Sequence, residues 1–135
     1  MRNWTVPILM LSLFASAAQA HHSLSGYDQG RNVRTDGVVE EFHFANPHPV
    51  LMIGVTAPSG VRQTWRLEMD NLHELADIGI SRTTFKPGDK VSVSGWPDKM
   101  EPKNMYLRRL DRPSDGLRYE QIGLSPRLTH VREPG

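Results

Sequence analysis

The chain has 135 residues, no cysteine and a formal net charge of +1. A chain of this length forms one domain with a modest core, and the lack of cysteine excludes a disulfide scaffold. The near-neutral charge argues against nucleic acid as a partner, because proteins that bind it usually carry a basic face. Any metal site therefore has to draw on histidine, methionine, carboxylates or the amino terminus.

The first twenty residues are typical of a secretory signal peptide. Arg2 precedes the apolar run VPILMLSLFASAA at residues 6–18, which is shorter than the roughly 20 residues that span a bilayer as a helix. Ala18-Gln19-Ala20 fits a cleavage site, so we expect the leader to be cut between Ala20 and His21. An uncleaved membrane anchor is the alternative. The expected product is a periplasmic protein without a membrane span.

Alternating apolar residues predict five strands in the rest of the chain. They run from Val33 to Phe44, Val50 to Ala57, Val61 to Met69, Lys90 to Trp96 and Met105 to Asp111. In the first strand Val38, Phe42 and Phe44 share one parity, and Gly37 suits a bend or bulge. Between the third and fourth strands the spacing changes to that of a short helix, with Asp70 as its N-cap and Gly79 as its stop.

The order of three strands, a helix and two strands is that of the OB-fold, a small five-stranded barrel. The predicted fold class is therefore all-β with one short helix, and an open β-sandwich is the competing architecture. We expect the barrel domain and its amino-terminal arm to occupy residues 21–116. Residues 117–135 contain Gly123 and Pro126 and are expected to form a loosely ordered tail.

Several motifs together resemble one protein family. They are the start HHS with Tyr27-Asp28, the segment GVVEEFHFANPHP, the pair Trp65 and Glu68, the segment KPGDKVSVSGWP and the segment LRRLDRPSDG. This combination resembles DUF6152, a family of small exported bacterial proteins without an assigned function. The resemblance runs from His21 to about Gly116. It implies a periplasmic protein and supplies no activity, so the function has to be argued from the residues.

The expected mature amino terminus is a candidate metal ligand. After cleavage His21 carries a free α-amine and an imidazole, which can chelate one ion together. A second imidazole completes a set of three nitrogen donors that suits Cu(II). This arrangement resembles the histidine brace of lytic polysaccharide monooxygenases, as an analogy of site and not of fold. Copper is therefore the expected cofactor.

His48 is the best-placed second imidazole. It lies between Pro47 and Pro49, and each proline fixes its own φ and restricts the residue before it. His43 is the other candidate, at the rim where the first strand ends. Glu68 is expected to act as a ligand or as a partner that orients one.

Other readings of the same residues remain open. His21 can be only a polar start, and Asn46-Pro47-His48-Pro49 can be only a strand breaker. The rival function is a metal-free OB-like module that binds a periplasmic partner protein or a small ligand through the barrel face. A copper-dependent oxidase is disfavoured, because so small a chain offers little to hold a substrate. The cluster of Arg108, Arg109 and Arg112 is expected to be a solvated face.

Overall fold

The structure is a computed structural model that describes residues 24–132. Within this range the chain forms seven strands and a short helix, α1, which follows the third strand. Their bounds are β1 (Val33–His43), β2 (Val50–Thr56), β3 (Arg62–Glu68), α1 (Leu72–Asp77), β4 (Lys90–Pro97), β5 (Asn104–Arg112), β6 (Leu117–Ile122) and β7 (Ser125–His130). The five strands expected from the alternation are present, each within a residue of its predicted bounds.

The first five strands close into a barrel. β1 pairs with β2 and β4, β2 pairs with β3, and β4 pairs with β5, all antiparallel. A parallel ladder between β3 and β5, with Leu67 opposite Met105, joins the two remaining edges. This is the OB-like barrel with a helix between the third and fourth strands. The open-sandwich alternative is wrong, because the ladder between β3 and β5 leaves neither edge free.

The interior is filled by one face of each barrel strand. Leu51, Ile53 and Leu67 are fully buried, as the alternation of β2 and β3 predicts. Val91 and Val93 of β4 are buried as expected. Apolar side chains at alternate positions therefore account for both the fold and its core.

The inward face of β1 differs from the prediction. The register against β2 shifts between Val39 and Glu41, which is a β-bulge. The bulge changes the alternation, so Val39 is buried in the core together with Phe42 packed against it, and Val38 is not a core residue. Gly37 is not the site of the bulge. It lies where β1 and β2 approach closely, since a Cβ there would lie 2.9 Å from the Gly54 carbonyl oxygen.

The helix α1 begins one residue later than expected. Its N-cap is Asn71, whose Oδ1 accepts a hydrogen bond from the Glu74 amide at 3.0 Å. The predicted N-cap, Asp70, instead accepts a hydrogen bond from the Gln121 side chain at 2.7 Å. Gln121, which binds Asp70, lies 51 residues away in β6. Local spacing in the sequence therefore does not show that Asp70 is engaged elsewhere and is not the N-cap.

Much of the expected tail is ordered. β6 and β7 form a hairpin that extends the sheet beyond β5. Leu117 and Tyr119 are buried, and Leu128 packs against the same core. The expectation of a loose tail is therefore wrong for residues 117–130, because alternate side chains of β6 are apolar and complete the core. No helix within residues 24–132 is long and apolar enough to cross a membrane.

Candidate functional site

His48 lies in the loop between β1 and β2 and is half-buried. Its Nδ1 is 3.2 Å from the backbone carbonyl oxygen of Met69, the residue that follows β3. In the tautomer that donates from Nδ1 to this carbonyl, Nε2 carries a lone pair that is open to a ligand. Metal-binding histidines are commonly oriented in this way, with the second ring nitrogen bonded to a backbone carbonyl. The contact therefore suits His48 to the role of a metal ligand.

Glu68 is held by the amino-terminal arm. Its Oε2 accepts a hydrogen bond from the Tyr27 hydroxyl at 2.5 Å and lies 3.7 Å from Arg66 Nη1. The Glu68 side chain is 15% exposed. Glu68 was expected to act either as a metal ligand or as a partner that orients a ligand. The geometry favours the second role, because the Glu68 carboxylate already has the Tyr27 hydroxyl as a donor and Arg66 as a nearby cation.

His43 stands apart from the other candidates. It is the last residue of β1, its side chain is half exposed, and its Nε2 lies 3.2 Å from a Glu41 oxygen. In the sheet His43 is opposite Val50, and Val50 is opposite Glu68. Two strand spacings of about 4.8 Å thus separate the backbones of His43 and Glu68, roughly 10 Å in all. This spacing places His43 and Glu68 on one outer face without bringing them to one point.

His21 lies outside the described residues, three positions before the first of them. Leu24 lines a cavity of about 200 Å³ together with Asp70, Asn71 and Glu74. The described start of the arm therefore lies against the segment that follows β3. Within residues 24–132, no group of three or more histidine, cysteine, aspartate or glutamate side chains is placed to hold a metal ion.

Tyr27 fixes the arm to the barrel and was not singled out from the sequence as a site residue. Its ring is 5.7 Å from that of Tyr106, which stacks on Trp96 at 5.8 Å. The Arg108 guanidinium lies over the Trp96 ring, 4.1 Å from its centre. Burial, followed by the hydrogen bond to Glu68, raises the pKa of Tyr27. The hydroxyl therefore remains a donor at any physiological pH.

The cavity beside Leu24 is bordered by a chain of polar side chains that local patterns also do not predict. Tyr119 donates to Gln121 at 2.8 Å, and Gln121 donates to Asp70 at 2.7 Å. A hydrogen bond with Asp70, followed by partial burial, raises the pKa of Glu74. No local pattern in the sequence predicts this network, because its members come from β6, α1 and the segment before α1.

Comparisons with known proteins give a family and no activity. The family model described as "Family of unknown function (DUF6152)" matches residues 9–105. The matched range contains His21, His43, His48 and Glu68, and it confirms the resemblance to the family, although it ends before the segment LRRLDRPSDG. Searches of curated proteins and of solved structures found no match.

Proposed function

Because the chain belongs to the DUF6152 family, whose function is unknown, we propose a function from its own residues. It is a periplasmic module that binds a metal ion, with Cu(II) as the expected ion. The ligands are the α-amine and imidazole of His21 and the imidazole of His48. Its role is to carry or buffer the ion, and export with cleavage after Ala20 is part of the proposal.

One observation carries the proposal: the arm and His48 both contact the end of β3. Tyr27 bonds to Glu68 at 2.5 Å, and His48 bonds to the carbonyl of the next residue, Met69, at 3.2 Å. Two residues lie between His21 and Leu24, and the three peptide steps that join them span at most about 10 Å when extended. This reach supports a shared site for His21 and His48.

The chemistry of the donors favours copper. The α-amine has an unperturbed pKa near 8, so it loses its proton to a metal ion more readily than a lysine does. Amine and imidazole from one residue and imidazole from another make a planar set of nitrogens, which Cu(II) prefers. The hydrogen bond between His48 and the Met69 carbonyl holds the imidazole ring in one orientation. The ring therefore loses less conformational entropy when it binds a metal ion.

The test is a Cu(II) titration of the exported and processed protein. The chain is secreted from its own leader, and mass spectrometry verifies that it begins at His21. The variants are His48→Ala, His43→Ala and the control His73→Ala, which removes an exposed imidazole on α1 that pairs with Asp77. A further variant carries four extra glycines before His21, which moves the amine away from the imidazole and leaves no histidine among the first three residues.

We expect one tightly bound Cu(II) per chain. Binding should weaken by at least about tenfold in His48→Ala and in the extended variant, because each loses a ligand. His73→Ala should bind like the unaltered protein. Binding that is unchanged by both His48→Ala and the added glycines contradicts the proposal, as does a processed chain that begins elsewhere.

A second candidate is supported by the cavity beside Leu24. Trp96 and Tyr106 line it, and Leu124 at the turn between β6 and β7 is 81% exposed next to it. Such a surface suits a metal-free module that binds a small ligand or a partner protein. This candidate predicts that function survives the glycine extension and the loss of His48, and that it is lost when Trp96 or Leu124 is replaced.

A further inference from the structure

A groove on the outer face of β1, β4, β5 and β6 is rich in arginine. It has a volume of about 710 Å³. Its lining contains five of the twelve arginines in the chain, namely Arg34, Arg109, Arg112, Arg118 and Arg132. Only two acidic side chains, Asp111 and Asp115, line the same groove. The groove thus carries a surplus of three positive charges in a chain whose net charge is +1.

One of these arginines has a structural role. The Arg112 guanidinium donates to Asp89 at 2.8 Å, to Asp115 at 2.8 and 3.0 Å, and to the carbonyl of Thr84. Every one of its nitrogens is engaged. Arg112 therefore joins β5 to the loops on either side and does not contribute free donors to the groove.

Arg109 and Arg118 are different, because one carboxylate orients both. Arg109 Nε donates to Asp111 at 2.7 Å, and Arg118 Nε donates to the other oxygen of Asp111 at 2.6 Å. These hydrogen bonds lower the pKa of Asp111 although burial opposes them, so the carboxylate stays ionised. The terminal nitrogens of both guanidiniums have no hydrogen-bond partner among residues 24–132. Two oriented cations thus share the Asp111 carboxylate and retain unused donors, while Glu120, opposite Arg109 in the sheet, pairs with Arg127.

Arg34 faces this pair across β4. In the sheet Arg34 is opposite Ser94, and Ser94 is opposite Arg109. Arg34 Nη2 donates to Ser92 Oγ at 3.2 Å, and its other nitrogens have no partner in the described part of the chain. Asn32, Ser92 and Ser94 line a cavity of about 360 Å³ between Arg34 and Arg109. The side chains of Asn32, Ser92 and Ser94 therefore provide hydrogen-bond donors between Arg34 on one side and Arg109 on the other.

We propose that this groove binds a phosphate group, either on a free solute or on a lipid headgroup. The guanidinium fork matches phosphate oxygens, and a charge near −2 uses the surplus that a single carboxylate leaves unbalanced. Arg34, Arg109 and Arg118 hold the phosphate oxygens, with Ser92, Ser94 and Asn32 as additional donors.

The groove is distinct from the proposed metal site. Arg34 and His43 are nine residues apart on β1, about 30 Å along an extended strand. Nor is the groove on β2 and β3, the face that OB-folds use for oligonucleotides. The phosphate proposal therefore stands or fails independently of copper.

The test measures phosphate binding by the processed, metal-free protein at pH 7.5. Inorganic phosphate is titrated by calorimetry, and phosphatidylcholine vesicles with and without phosphatidic acid, whose headgroup is a phosphate monoester, are tested by co-sedimentation. The variants are Arg34→Ala, Arg34→Lys and the control Arg127→Ala. Arg127 lies on the same outer face but pairs with Glu120 at 2.8 Å and does not line the groove. Circular dichroism verifies that each variant is folded.

We expect saturable binding of inorganic phosphate or of the vesicles that contain phosphatidic acid, and the probe that binds identifies the source. Arg34→Ala should weaken it at least about tenfold, since a charge-assisted hydrogen bond is lost. Arg34→Lys should restore only part of the affinity, and Arg127→Ala should change it less than about twofold. The proposal is overturned if neither probe binds, or if Arg34→Ala and Arg127→Ala weaken binding equally.

Discussion

Removal of the Tyr27 hydroxyl tests how the arm is held. Tyr27 is 5% exposed, and its hydroxyl donates to Glu68 at 2.5 Å. Tyr27→Phe keeps the ring against Tyr106 and removes only this bond. Glu68 then retains a single charged neighbour, Arg66, at 3.7 Å.

The size of the effect follows from this geometry. A hydrogen bond to a charged group contributes about 1.5–3 kcal/mol. Glu68 is 15% exposed, so water replaces part of what the carboxylate loses, and we expect the lower end of that range. The free energy of unfolding should fall by about 1.5 kcal/mol, which corresponds to a decrease in Tm of roughly 6 °C for a domain of this size.

Urea unfolding of the two proteins measures this difference, with equal m-values as the condition for comparing them. Tyr106→Phe is the matched control, because the Tyr106 hydroxyl has no hydrogen bond to another residue within the described range. It should change stability by less than about 0.5 kcal/mol. If Tyr27→Phe is as stable as the unaltered protein, the bond does not anchor the arm and the reasoning fails.

Two further predictions concern the barrel and its acid stability. A Cβ on Gly95 would overlap the carbonyl oxygen of Tyr106 in β5, so Gly95→Ala should destabilise the fold by about 2 kcal/mol in urea, whereas Ser94→Ala should have little effect. The hydrogen bond from Arg112 lowers the pKa of Asp115 to about 2. The stability that this ionised group contributes is present above about pH 4 and is lost as the pH falls toward 2. Thermal melts should therefore show Asp115→Asn less stable than the unaltered protein at pH 6, with the difference shrinking as the pH falls toward 2.

The fold is accessible from the sequence because its main signals are local. Leu51 and Ile53 are fully buried on either side of the less buried Met52, and the change of spacing after Met69 marks the helix. The errors come from effects that alternation does not encode. Because of the bulge before Glu41, Val39 lies in the core in place of the expected Val38.

The candidate site is less accessible, because it joins distant segments. His48 stands out in the sequence through its two flanking prolines, but its bond to Met69 depends on how β1, β2 and β3 meet. Tyr27 reaches Glu68 across 41 residues, and no short-range pattern predicts that contact. Similarly, Arg109 is read from the sequence as one of a solvated cluster, and only the sheet register places it opposite Arg34 across β4.

The central claim is tested most directly by electron paramagnetic resonance of the processed protein with one equivalent of Cu(II). The account predicts a tetragonal Cu(II) spectrum with couplings from two imidazoles and one amine nitrogen, and the loss of one imidazole coupling in His48→Ala. A spectrum that is the same in His48→Ala, or that is indistinguishable from free Cu(II) in buffer, would contradict the claim that His21 and His48 form a metal site.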